Sequence, residues 1–305
     1  MVSALAPSAL TRSLAWHEDR PREMRGGAGE SSVLPKLVLP HPSGASAEIY
    51  LQGAHVTSWK RATGEEMLFV SANSRFAPGE TIRGGIPVIF PQFANLGPLP
   101  GHGFLKTAQW QVMETGADAG GAVFARLETS DTPASRELWP HSFRASLRVA
   151  IDDALTTGLT ITNTGTDAFA FHAVLHTYHR VGDLRRVAIE GVEGATYQDR
   201  LANGAERTEV ATPLRVEGET NRIYVRRPGR IRLVDAVRNH TVVVDRAGFE
   251  DAVIWNPGEL KGRTNANLAD GEYLQMLAVE SAAIVHPVQL APGATWTGTQ
   301  RIHVA

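Results

Sequence analysis

Between Ser142 and Ile151 the chain alternates, with Phe143, Ala145, Leu147, Val149 and Ile151 on one face and mostly polar residues on the other. A period of two is the signature of a strand with one buried face. Short β-branched or aromatic runs recur along the rest of the chain. They include 47–51, 122–127, 158–161, 168–178, 222–225, 231–234, 241–245, 252–255, 273–285 and 295–304. Asn163-Thr164-Gly165, Asn203-Gly204 and Pro292-Gly293 punctuate them as turns. Helical periodicity is scarce, and the best helix candidate is 262–269. There is no heptad pattern, no fixed-period repeat and no low-complexity linker after residue 30. Many short strands and few helices predict an all-β, two-sheet sandwich over 31–305, with the sites on its loops.

Composition narrows the chemistry. The chain has 305 residues and no cysteine, which excludes disulfides, thiolate metal ligands and a cysteine nucleophile. The formal net charge is −2, so no general basic field exists to hold nucleic acid or an anionic membrane. No apolar run reaches the length of a membrane span. Residues 1–30 mix arginines with acids and lack an apolar signal core. They read as a loose extension on a cytoplasmic protein; the alternative is an organelle transit peptide, against which the acids count. The chain contains no P-loop, no G-x-G-x-x-G, no H-E-x-x-H and no G-x-S-x-G. Phosphoryl transfer, hydride transfer and serine-nucleophile hydrolysis thereby lose their usual supports.

Four segments carry candidate chemistry. In the run 82–93, Arg83 precedes the pair Gly84-Gly85, and Pro87 and Pro91 direct the chain; Gln92 lies near its end. A guanidinium at Arg83 suits a phosphate in fork geometry, or simply decorates a rigid turn. In Gly101-His102-Gly103-Phe104-Leu105-Lys106, a histidine between two glycines has a loop-like backbone. Its ring points either into a cleft or into solvent, and Lys106 adds a cation. The run 168–180 contains His172, His176 and His179. Its aromatic and β-branched surroundings favour a strand. On a strand His172 and His176 share a face but stand ~13 Å apart, too far to share a metal easily. One of them could be a general acid, because imidazole titrates near neutrality. Glu280 follows an apolar run and is either a solvated strand end or a buried base. Trp255 either stacks on a sugar face or belongs to the core.

The order of these motifs is more specific than any one of them. The series Gly53-Ala54-His55-Val56-Thr57-Ser58-Trp59-Lys60, Arg83-Gly84-Gly85-Ile86-Pro87, Gly101-His102-Gly103-Phe104, Leu175-His176-Thr177-Tyr178, Tyr197-Gln198-Asp199, Trp255-Asn256-Pro257 and Val279-Glu280 resembles the hexose-6-phosphate mutarotases, a branch of the aldose 1-epimerase family. The resemblance spans about 33–304. It implies a galactose-mutarotase-like β-supersandwich that needs no cofactor or metal and takes a small hexose phosphate; a monomer is the expected state. It also implies Glu280 as catalytic base and His176 as catalytic acid. Arg83, Gln92, His102, Lys106 and Asp199 are implied as substrate-binding residues, Arg83 and Lys106 facing the 6-phosphate. Two positions depart from the branch pattern. Lys106 stands where arginine is usual, which removes bidentate phosphate binding there. Gly101 stands where a larger polar residue is common. A mutarotase for free aldoses, a sugar-binding regulatory protein and a glycoside hydrolase are the competing expectations. The hydrolase would need two carboxylates flanking one bond.

Overall fold

A computed structural model of the chain describes residues 16–18, 34–226 and 229–305. Within them the chain is all-β as expected, but its strands form three antiparallel sheets and not two, the four N-terminal strands of 16–60 making a sheet of their own. The first has four strands, Trp16–Glu18, Pro35–Pro40, Ser46–Tyr50 and His55–Lys60, in chain order. The expectation of a loose extension over 1–30 lies outside the described residues except at Trp16–Glu18, which pairs with Pro35–Leu37.

The second sheet has eight strands. In spatial order they are Val187–Glu190, Ile231–Asp235, His240–Ala247, Thr295–Val304, Ala154–Asn163, Phe143–Ile151, Val123–Ser130 and Gln111–Ala117. The alternation read in Phe143–Ile151 is its buried face: Phe143, Ala145, Leu147, Val149 and Ile151 all join the main core. The third sheet carries the candidate site. It runs Ala205–Thr208, Thr196–Asp199, Thr220–Tyr224, Asp251–Asn256, Met276–Leu290, Phe169–Leu175 and Val88–Ile89, and Tyr178–Arg180 pairs separately with Met276–Leu290. Asn203-Gly204 takes positive φ at both residues, 55° and 79°, and closes the five-residue connection between Asp199 and Ala205.

Alternation in the third sheet divides two hydrophobic clusters. Phe171, Ala173, Leu175, Ala252, Ile254, Leu277 and Val279 face the main core. Val174, Ile223, Val253, Ala282 and Ile284 face away from it and pack with Ile89 and Phe93. The central strands are thus largely apolar on both faces, which explains why 273–285 reads as an apolar run with Glu280 and Ser281 set inside it.

Two helical details differ from the sequence reading. The helix expected over 262–269 runs instead over Gly258–Thr264 and ends at Asn265. The Asn256 side chain accepts from the Gly258 N–H at 2.8 Å and starts it early. Gly262 then lies against Tyr273, where a Cβ would come within 3.0 Å of that side chain. A second helix, Pro133–Leu138, has no apolar stripe to announce it; it is set by a Thr132–Ser135 capping box and a proline in its first turn. Among the described residues no helix is long and apolar enough to cross a membrane.

Buried histidines tie the fold to pH. His55 and His179 are fully buried, and desolvation holds each imidazolium down to about 4, against 6.5 when free. The unfolded chain therefore binds more protons than the folded one between those values. Stability is intact above about pH 6.5 and is lost as pH falls toward 4. At 1.36 kcal/mol per unit, each histidine should contribute a loss of about 3 kcal/mol. Urea midpoints at pH 7 and pH 4.5 should show the fall. A His55→Gln, His179→Gln double variant should lose the part of the fall that these two contribute, and an unchanged slope in that variant would refute the assignment.

Candidate active site

The geometry starts from strand register. Leu175 pairs with Ser281, and Tyr178 pairs with Ala278. Continuing that register sets His176 opposite Glu280, with Val253 pairing Glu280 from the other side. The His176 Nε2 to Glu280 Oε1 distance is 3.4 Å. Both are buried, Glu280 at 1% exposure and His176 at 8%. Neither Glu280 Oε2 nor His176 Nδ1 has a hydrogen-bond partner among the described residues. Tyr178, two residues beyond His176 and on the same face, stacks on its ring at 4.6 Å and 11°. Trp255 meets both rings edge-on at 5.9 Å. On the other face of the same turn, Thr177 and Ser281 share buried hydrogen bonds with Gln300.

The loops bring the cations. Gly84 and Gly85 have φ of 120° and 63°. A Cβ on Gly84 would lie 2.3 Å from the Phe69 carbonyl oxygen, and one on Gly85 would lie 2.3 Å from that of Val56. The pair is threaded between the backbone segments at 56–57 and 69–70, where no other residue would fit, and Arg83 emerges at its edge. Arg83 Nη1 donates to the Tyr178 hydroxyl at 3.1 Å. In the second loop His102 sits at φ 66° and its Nδ1 accepts from the Ala94 N–H at 3.3 Å. That bond assigns the proton of the neutral ring to Nε2. Lys106 Nζ donates to the carbonyls of Gly101 and Gly103 at 2.6 and 2.7 Å. It thereby clamps the His102 loop and leaves one of its three N–H groups uncommitted.

These groups line one cleft of about 370 Å³, large enough for a monosaccharide derivative. Burial pushes Glu280 well above the usual carboxylate range. Burial also pushes His176 well below the usual imidazole range, helped by His102, Arg83 and His55. His102 falls to about 4 through burial and the nearby Lys106 and Arg83. The Glu280–His176 pair therefore holds one proton over a wide pH range. Taking the second proton would put a net positive charge in a dry site, and losing the first would put a net negative charge there.

Of the residues expected from sequence, His176, Glu280, Arg83, His102 and Lys106 come together in this cleft. Gln92 and Asp199 do not line it. Gln92 is buried behind the loop wall, where its side chain bonds Ala94 and Leu99 and shapes 94–99. Asp199 caps the short turn Arg200–Ala202 by accepting from the Leu201 N–H, which leaves the adjacent Arg200 on the cleft wall. Sequence reasoning missed Tyr178, Asn221 and Arg200 as lining residues. The i, i+2 spacing from His176 was the available signal for Tyr178. Glu280 and Trp255, each left open between two settings, both face the cleft. His172 is separate, its Nδ1 accepting from the Phe93 N–H.

The family model described as aldose 1-epimerase matches residues 35–303. A Cenchrus ciliaris protein named "putative glucose-6-phosphate 1-epimerase" is 38% identical over 275 residues, covering 88% of this chain and 84% of its own. An Escherichia coli protein of the same name is 30% identical over 251 residues, covering 82% and 83%. The crystal structure of a "putative mutarotase" from Salmonella typhimurium superposes with a TM-score of 0.82 at 29% identity, covering 89% of this chain and 90% of that one.

Proposed function

The chain belongs to the aldose 1-epimerase family, and from that premise we propose that it interconverts the α and β anomers of a hexose 6-phosphate, glucose 6-phosphate in the first instance. The observation that carries the reading is the His176–Glu280 pair facing a cleft that Arg83 and Lys106 also line. Mutarotation needs one proton removed and one supplied. In the substrate complex, Glu280 as carboxylate takes the proton of the anomeric hydroxyl. His176 as imidazolium donates to the ring oxygen. The C1–O5 bond breaks as the C1 carbonyl forms. Rotation about C1–C2 presents the other carbonyl face, and closure returns both protons. Neutral His102, with its proton on Nε2, is a hydrogen-bond donor to a sugar hydroxyl. Trp255 offers an apolar ring to the sugar face. Arg83 and the free N–H of Lys106 take the phosphate. The scheme calls on no cofactor, and positioned acid and base groups each supply about 10²–10⁴-fold. Residues 31–305 are taken as one unit acting as a cytoplasmic monomer, which sedimentation of the purified chain checks for oligomeric state.

The pH profile follows from the shared proton. Protonation of both groups stops the base, and the depressed His176 places that limb below 6.5. Loss of the shared proton stops the acid, and the raised Glu280 places that limb well above 4.5. The kcat/KM profile should be a bell with a broad top around neutrality. A profile that climbs or falls steadily across pH 6–8 would sink the assignment.

One observation favours free aldoses instead: two of the three Lys106 N–H groups already bond the loop carbonyls. Saturation-transfer NMR of anomer exchange separates the readings. Acceleration of glucose 6-phosphate well beyond that of glucose supports the phosphate reading. Equal acceleration moves the substrate class to free sugars. Acceleration of neither leaves a sugar-binding protein.

A further inference from the structure

The proposed phosphate site and the acid are in mechanical contact through one side chain. Arg83 Nη1 donates to the Tyr178 hydroxyl, and the Tyr178 ring lies face to face on His176. The ionisable groups facing His176 are Glu280, Tyr178, His102, His55 and Arg83. Of these, the histidines are neutral and Tyr178 is held protonated by burial. Arg83 is thus the fixed positive charge acting on the ring. With no anion present, that charge opposes an imidazolium at His176, and burial opposes a carboxylate at Glu280. The shared proton then rests on Glu280, and the pair is neutral in the form that the reaction does not use.

Resting on the phosphate reading above, we propose that an anion seated at Arg83 and Lys106 is an activator as well as an anchor: acting across Tyr178, it moves the shared proton from Glu280 Oε1 to His176 Nε2. The transfer runs along the existing 3.4 Å contact and leaves the net charge of the pair at zero. Two effects drive it. A dianion offsets the guanidinium field on the ring. It also draws the guanidinium away from the Tyr178 hydroxyl, which leaves the phenol π-face a better partner for a cation stacked on it. The arrangement would make the base and acid ready only when a phosphorylated substrate is seated.

The test uses the full chain, uniformly ¹⁵N-labelled, at pH 7 with inorganic phosphate as probe. His176 is assigned by difference with a His176→Asn variant. On saturation with phosphate, the two His176 ring nitrogens should shift toward the imidazolium pattern while the Arg83 Nε–H also shifts. In a parallel assay, inorganic phosphate added to free glucose should raise its enzyme-dependent anomerisation about ten-fold, the equivalent of one unit of proton affinity. The rise should saturate at the concentration that saturates the NMR shift. In Tyr178→Phe, which keeps the ring and loses the hydroxyl, phosphate should still shift Arg83 but move His176 less. Phosphate that shifts Arg83 with His176 unmoved and glucose turnover unraised would overturn the proposal and leave the anion as an anchor. Phosphate that fails to bind, together with equal turnover of glucose and glucose 6-phosphate, would overturn the phosphorylated-substrate reading and this proposal with it.

Discussion

Glu280→Gln is expected to lower the anomerisation of glucose 6-phosphate by about 10²–10⁴-fold, the contribution of a positioned base. The same variant should keep its fold and melting temperature. Glu280 is buried, and burial favours its neutral acid, so a neutral amide of the same shape replaces the resting form with little change in solvation. The amide can still hydrogen-bond but cannot take the proton of the anomeric hydroxyl. Saturation-transfer NMR gives the rate and a thermal melt gives the stability. Turnover within a few-fold of the parent would remove Glu280 from the mechanism. A large fall in melting temperature would mean that the carboxylate holds the fold instead. His176→Asn is the companion variant. Because acid and base act in one exchange, the two losses should be less than additive, as residues working as a unit are.

The second large effect is structural. Gly84→Ala puts a Cβ 2.3 Å from the Phe69 carbonyl oxygen and 2.5 Å from Val70 Cα, both backbone atoms that cannot rotate away. The φ of 120° at this position adds strain for any L side chain. Strain and overpacking at about 1–3 kcal/mol each predict a total loss near 4 kcal/mol. At roughly 2 °C per kcal/mol for a chain of this size, the melting temperature should drop by about 8 °C. The displaced segment carries Arg83 and bonds His55 through the Gly84 carbonyl. The KM for glucose 6-phosphate should therefore rise more than the KM for glucose. An alanine variant with an unchanged melt would show that the loop repacks freely, and the close threading would then have no energetic weight.

How much of this was readable from residues alone depends on where the information sits. Phe143–Ile151 and Thr295–Val304 were readable to the residue because one face of each is buried and the other is not, so polarity alternates with the pleat. The helix Gly258–Thr264 was misplaced because its limits come from a side chain bond at Asn256 and a packing contact at Tyr273, neither of which leaves a periodic trace. Gln92 and Asp199 sit within recognisable motifs, yet their side chains accept from the backbone N–H groups of Leu99 and Leu201 and do not line the cleft. A motif records that a residue is there, not which way its side chain points.

The sequence by itself determined the fold class, the absence of thiol chemistry and, through the order of its motifs, the family. Those follow from local patterning and composition, which are properties of neighbours along the chain. Only the tertiary structure decided that Glu280 is buried and not solvated, that it stands opposite His176, and that Tyr178 bridges Arg83 to that pair. Each of these depends on register between strands about a hundred residues apart in the chain. A register is chosen by the whole sheet at once, because a slip of one residue would turn every side chain of the strand to the wrong face.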